Sequence, residues 1–415
     1  MTHGPGEVVV TGVGLAVPGA GTPEALLRRT ACPVTGPDPE PFDTAARIGR
    51  RGHRYKDRAT RLALCAALDA LRSADLIPAD GEEVTVPGDT IGVVASSNLG
   101  NLDTACLTAA AIAERSAVDL SPMSLPNASS NVIASWVAIR HGLRGPNLML
   151  CNGATSGLDA VHWAAALVTA GRVRRAVVIG VETRNAVVAD LLGRSAGELL
   201  DGAAALVVEG ARWAEARGAR AVAALGPYER RAGLTGCVEA LLPDGAAPGV
   251  WFTPERYAEG PAGAVPVPQA VPVPQAVPRY DVSGAVGRAS GALGVLQCAA
   301  AVGWLARAGA GTGAGPEPGA GVGPEPGAGV GPEPGAGVGP EPGARVGPEP
   351  GAGLGTAFAA GPGAAPDPVP ASRQALITCG DDSADAVAGL LLRPTPDRCP
   401  PHPARAALIS MECSR

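Results

Sequence analysis

The chain has 415 residues, a formal net charge of −6 and 46% hydrophobic residues, enough to bury a large core and to make a soluble globular protein the default expectation. Lys56 is the single lysine, the other basic residues are arginine, and over the whole chain no Lys/Arg run stands out as a nucleic-acid footprint. The nine cysteines form no C-x-x-C pair and are odd in number, which argues against a disulfide framework or a zinc site and for reduced thiols in a cytoplasmic protein. The N-terminus MTHGPGEVVVTG lacks a charged n-region and a long apolar h-region, so no signal peptide is expected.

VVVTGVG (8–14) is a β-branched run ending in a glycine turn and predicts a buried strand. DRATRLALCAALDALRSADL (57–76) has apolar residues at helical spacing, with Asp57 placed to cap the helix. TIGVVASS (90–97) predicts a strand leading to a loop, and NLMLC (147–151) another, followed by a helix from about 155 to 170. RRAVVIGVE (174–182) and AALVVE (204–209) predict two more strands. This alternation implies an α/β protein with mostly buried sheets. Residues 289–306, ASGALGVLQCAAAVGWLA, carry no charge and could just span a bilayer. Their Gly, Ser and Gln content favours a buried core helix, so no membrane association is expected.

The C-terminal half is less regular. AVPVPQ occurs twice in tandem (264–275), within a Pro-rich segment at 261–278. GPEPGAGV then recurs from 315 with a period of eight. Its prolines block helix and ladder pairing, and one Val or Leu per repeat is too little to bury, so a disordered, extended insert is expected at 309–356. ALITCGDDSADAVAGLLLRP (375–394) returns to globular character with two strand-like runs, and 395–415 reads as a tail.

CNGATSGLDAVHW (151–163) has the form of a strand–turn–helix elbow, where a nucleophile would normally sit, yet the residue at the join is Ala154. Ordered along the chain are also VVVTGVGLAVPG (8–19), KDRATRLAL (56–64), PNASSNVIASWVAIRHGLRGPN (126–147), AGRVRRAVVIGVE (170–182), DGAAALVVE (201–209) and VGRASGALG (286–294). Together these resemble the β-ketoacyl synthases of the thiolase superfamily, especially those of bacterial type II polyketide systems. The resemblance covers 1–210 well and 211–394 patchily.

The resemblance implies a five-layer αβαβα thiolase-like fold of two similar halves, an N-terminal one at 1–210 and a C-terminal one at 211–394. It also implies a Cys at the tip of a buried helix, assisted by two His. That machinery is missing here. Ala154 occupies the nucleophile position, and SGAVGR puts Ser283 at the usual Lys and Arg288 at the second His. WFTPER (251–256) stands where a His-bearing segment is expected, and CGDD (379–382) where a glycine-rich turn is expected. The five His (3, 53, 141, 162 and 402) lie elsewhere.

Three nearby residues invite functional readings. Cys151 is read as a buried small hydrophobe rather than a displaced nucleophile. His162 lies roughly 12 Å along the helix from Ala154, too far for a catalytic pair, and is read as a satisfied interior histidine. Arg288 is read as a structural ion pair with an unidentified carboxylate, ahead of a ligand for an anionic acyl carrier or phosphate.

In type II polyketide systems an active ketosynthase pairs with a similar, Cys-less chain-length factor, and this chain resembles such a partner. The expected partners are therefore an active ketosynthase subunit, forming a heterodimer, and an acyl carrier protein. The carrier's phosphopantetheine arm would be delivered to the active subunit, and no cofactor or metal of the chain's own is expected. Those partners commonly carry Gln at the elbow, and the stretch from Glu182 to Asp201 lacks a loop found in most of the family. The resemblance further implies that residues 102–124 lie at the dimer interface and cap the partner's acyl tunnel, with Ala109, Ala110, Ala111 and Ala113 as tunnel and interface candidates. Two alternatives are a malonyl-carrier-protein decarboxylase that supplies primer, and a decayed homologue without function.

Overall fold

The computed structural model describes residues 6–31, 40–123, 125–255, 271–309, 372–380 and 386–395. Residues 310–356 of the repeat insert, 396–415 of the tail and 261–270 of the Pro-rich segment lie outside the described residues.

The strands are β1 (Val8–Ala16), β2 (Ile91–Ser96), β3 (Asn147–Leu150), β4 (Arg175–Glu182), β5 (Gly202–Gly210), β6 (Ala223–Arg231), β7 (Val250–Phe252), β8 (Arg279–Tyr280), β9 (Ala375–Cys379) and β10 (Val387–Arg393). The first six helices are α1 (Pro23–Ala31), α2 (Thr44–Ile48), α3 (Arg58–Ser73), α4 (Leu102–Glu114), α5 (Val132–His141) and α6 (Ser156–Thr169). The remaining five are α7 (Ala186–Leu192), α8 (Ala211–Ala216), α9 (Leu234–Leu241), α10 (Val282–Val286) and α11 (Leu293–Gly309).

The strands run in the order β3-β2-β4-β5-β1-β6-β10-β9-β7-β8. Read outward from its centre, this order is the same five-strand pattern twice. In each half the two strands at the outer end join their inner neighbour in parallel, and the remaining pairings are antiparallel. The halves meet through a short antiparallel contact, Val9 with Ala224 and Val10 with Ala223.

Period-two patterning sets the layers. On β5, Ala203, Ala205 and Val207 join the core under α3, whereas Ala204, Leu206 and Val208 face the opposite core with α6 and α11. That second core also takes Ile377 of β9 and Leu390 of β10, so α6 and α11 lie between the two halves of the sheet. Beyond the second half, α9 packs Leu234, Val238 and Leu241 against Trp251, Leu376 and Leu391. The result is the five-layer αβαβα arrangement. Val273 and Val277, from the described end of the Pro-rich segment, pack into this last core.

Local signals explain the elements that position the site. Asp57 caps α3 by accepting from the Thr60 N–H at 2.7 Å. The uncharged run at 289–306 forms a turn (Ser290–Ala292) and then α11, whose interior is buried. Among the described residues no helix is long and apolar enough to cross a membrane. Helices α6 and α11 cross at Gly157 and Gly294. A Cβ on Gly157 would stand 2.7 Å from the Gly294 nitrogen, and one on Gly294 would stand 2.5 Å from the Leu158 nitrogen. Only glycines permit this approach, and it brings the starts of both helices to one place.

Candidate active-site cleft

The elbow forms as its residues suggest. After β3 the chain turns at Gly153, whose φ of +87° favours glycine, and enters α6 through a single turn, Gly153–Thr155. Asn98, from the loop after β2, locks this turn. Its amide donates to the Gly153 carbonyl at 2.9 Å and to Ser290 Oγ at 2.8 Å, while its Oδ1 accepts from Ser156 Oγ at 3.0 Å. Asp159, one turn into α6, accepts from Asn152, from Thr155 Oγ1 at 2.8 Å and from the Tyr228 hydroxyl.

Ala154 opens onto a cleft of about 310 Å³. Leu99, Val188, Leu192, Leu199, Leu200 and Leu293 form its apolar walls. Glu182, Thr183, Glu255, Arg288 and Ser290 supply its polar side, and Gly380 completes it. Ala154 and Arg288 therefore share one cleft, although they are far apart in sequence. Arg288 Nε donates to Glu255 Oε1 at 2.6 Å, so the structural ion pair exists and Glu255 is its carboxylate. Glu255 also accepts from the Ala289 and Ser290 N–H groups, at 3.3 and 3.0 Å. This pair fixes the rim of the cleft at the start of α11. Ser290 holds a φ of +37°, unusual for a residue with a side chain.

Ser283 does not reach the cleft lining. Its hydroxyl donates to Asp281 Oδ1 at 2.6 Å, and Asp281 caps α10. Two expectations are corrected. Cys151 is exposed, because β3 is the outermost strand of its sheet and leaves one side uncovered. Partial burial still pushes its thiol pKa up. His162 is also exposed rather than interior, stacked on the Tyr228 ring with centroids 4.2 Å apart. Among the described residues, no histidine lines the cleft and no group of three or more His, Cys, Asp or Glu is placed to hold a metal ion.

Glu182 was not singled out in the sequence, yet it is the most constrained group here. It ends β4, is almost wholly buried, and accepts from the Asn98 N–H at 2.6 Å, the Leu99 and Gly291 N–H groups at 3.1 Å, and Ser97 Oγ at 3.3 Å. Burial pushes its carboxyl up to about 7 against the downward pull of those four donors. An acid closing a buried β-branched run was the available signal. Glu255 lay in WFTPER, a segment notable in sequence only for lacking a histidine.

Helix α4 presents the tunnel candidates. It has no buried residue; Ala109, Ala110 and Ala113 are exposed and Ala111 is half-buried. Leu107 is 68% exposed and Ile112 46%, and the apolar exposure continues through Val118, Met123 and Leu125.

Two related halves, five layers and a glycine elbow feeding a buried helix define a thiolase-like fold of the ketosynthase type. Residues 30–197 match the family model described as β-ketoacyl synthase, N-terminal domain. Over 208 residues it is 27% identical to 3-oxoacyl-[acyl-carrier-protein] synthase 2 of Vibrio harveyi, covering 44% of this chain and 49% of that protein. Over 181 residues it is 32% identical to the Streptomyces violaceoruber protein named granaticin polyketide β-ketoacyl synthase 1, covering 38% of this chain and 42% of that protein. The chain thus spans about half the length of the curated relatives it matches. The fold matches the ishigamide ketosynthase/chain length factor with a TM-score of 0.63 at 21% identity, covering 94% of this chain and 100% of that one. It matches a type II polyketide synthase ketosynthase structure, AntDE with the acyl-carrier protein AntF, with a TM-score of 0.64 at 13% identity, covering 94% of this chain and 99% of that one.

Proposed function

We propose that the chain is a non-catalytic, chain-length-factor type subunit that pairs with an active β-ketoacyl synthase in type II polyketide, polyene or fatty-acyl synthesis. The observation that carries this reading is Ala154 at the tip of the elbow, facing the Arg288–Glu255 pair across one cleft. Acyl transfer needs a nucleophile there, and a methyl group forms no thioester. Enolate formation needs proton donors or a positioned base, and no histidine lines the cleft among the described residues. The decarboxylase reading therefore ranks second.

The partner is argued from surface. A helix without a buried residue that exposes Leu107 and Ile112, followed by exposed Val118, Met123 and Leu125, offers apolar surface of the kind that a second subunit covers. On this reading the acyl carrier protein serves the active subunit, and the chain shapes the space into which the acyl chain grows.

The test is co-expression with a β-ketoacyl synthase that retains its Cys and both His. A stable 1:1 complex is expected by size-exclusion chromatography, with radiolabelled acyl groups on the partner alone. Acyl label on this chain, blocked by iodoacetamide and mapped to one cysteine, would sink the reading.

A second outcome concerns product length. Small residues at 109, 110, 111 and 113 leave room that packed interiors do not readily collapse to fill. Changing one of these Ala to Phe is expected to shorten the product of the reconstituted pair, read by mass spectrometry. An unchanged length distribution for all four variants, in pairs that still assemble, rules this helix out as the gate.

A further inference from the structure

Seven of the fifteen residues from 47 to 61 are Arg or Lys, in a chain of net charge −6. Two of them are neutralised, Arg47 by Asp69 at 2.6 Å and Arg58 by Asp201 at 2.5 Å. Arg50, Arg51, Arg54, Lys56 and Arg61 have no ion-pair partner among the described residues. Arg140, from α5, joins the cluster, and its carboxylate Glu82, at 2.9 Å, is largely exposed and weakly held.

Beneath the loop lies His53, 6% exposed, with neither ring nitrogen hydrogen-bonded. The nearby Ile48 carbonyl pulls the His53 pKa upward. Burial lowers the His53 pKa, and Lys56, Arg140 and Arg61 lower it further. Trp136 Nε1 is also sealed without a partner, and its ring carries the Lys56 ammonium at 3.9 Å. Turns at Gly49 and Gly52 (φ +75° and +79°) fold the loop back, so that Lys56 Nζ donates to the Gly52 carbonyl at 2.5 Å. The acids facing these cations include Glu82, paired with Arg140, and Asp57, which interacts with Arg61; one Asp57 oxygen caps α3 and the other is buried without a hydrogen-bond partner.

Such a cluster holds more positive charge than its own acids balance, over buried polar atoms left idle. A multivalent anion would offset the repulsion among the cations. It would also let His53 take a proton and use its ring N–H groups. An ammonium beside forked guanidinium donors suits tetrahedral oxygens.

We infer that Lys56, Arg61 and Arg140 form a binding site for a tetrahedral oxyanion, a phosphate or phosphate ester, over His53. This site is separate from the cleft and does not depend on the ketosynthase reading.

The experiment titrates the full chain at fixed ionic strength with inorganic phosphate, sulfate and a phosphoserine peptide by calorimetry. Saturable phosphate binding with a Kd of about 1 mM or tighter is expected. Lys56→Gln and Arg140→Gln should each weaken it about tenfold, while Lys56→Arg retains most of it. In NMR titrations, phosphate should raise the His53 pKa in the unmodified chain and not in the Lys56→Gln, Arg140→Gln double variant. Tighter binding of the peptide identifies an ester on a partner, and equal or weaker binding identifies the free ion; either supports the site. No saturable heat, binding unchanged in the double variant, or an unmoved His53 titration overturns it.

Discussion

Replacing Glu182 by Leu is expected to destabilise the chain by about 3–5 kcal/mol, among the larger effects for a single substitution. Three backbone N–H groups and the Ser97 hydroxyl converge on this carboxylate. Leucine offers them nothing, and each buried donor left unmade costs about 1–3 kcal/mol. The total stays below the sum because Glu182 borders the cleft, through which some of these groups can regain water. Glu182→Gln should cost less, since one amide oxygen remains as an acceptor, although its NH2 then faces donors.

The pH dependence has a definite sign. The folded-state pKa is raised from 4.5 to about 7, so the folded chain holds this proton more tightly than the unfolded chain. Stability from this group is therefore fully present below pH 4.5 and is lost as pH rises through about 7. The stability advantage of the unmodified chain over Glu182→Gln should shrink across that window, measured by urea unfolding at several pH values. A Leu variant within about 0.5 kcal/mol of the unmodified chain, or a pH-independent difference, contradicts this role.

The contrast between Asp57 and Glu182 explains what sequence could reveal. Asp57 caps the helix that follows it, a relation local in sequence, and helix and cap were both legible. The long strands β1, β4 and β5 were legible because β-branched runs are buried on both faces. Strands β7 and β8 have only three and two residues, too few for a pattern. The four donors of Glu182 come from the loop after β2 and the turn before α11, and nothing at position 182 names them. Exposure was misread at Cys151 and His162 because the motif was legible but the uncovered side of β3 and α6 was not. Ser283 and Arg288 belong to one short motif, yet Asp281 draws the first into a helix cap while Glu255 holds the second at the cleft. Charge counted over the whole chain hid the basic run at 47–61, because acids elsewhere outweigh it.

The exposed apolar side chains of α4 lead to the second large effect. Leu107→Arg combined with Ile112→Arg is expected to weaken the proposed pairing with an active ketosynthase by about 100-fold or more, roughly 2.7 kcal/mol. Both residues lie on α4, 68% and 46% exposed, and neither belongs to a core of the isolated chain. The variant should therefore unfold at nearly the unmodified temperature, since exposed positions away from caps and networks move stability by about 0.5 kcal/mol or less. In a complex the same positions would be desolvated, where an arginine without a partner is costly and leucine or isoleucine is favoured. Serine at both positions should fall between, because it removes apolar area without burying charge. Unmodified folding with lost pairing separates an interface from a structural role, and sedimentation velocity on the mixed proteins reads both association and compactness. Pairing of undiminished strength in the double arginine variant would place the interface elsewhere. The exposed apolar face of α4 would then need another occupant, and the tunnel assignment of Ala109, Ala110, Ala111 and Ala113 would fall with it, since those residues lie on the same helix.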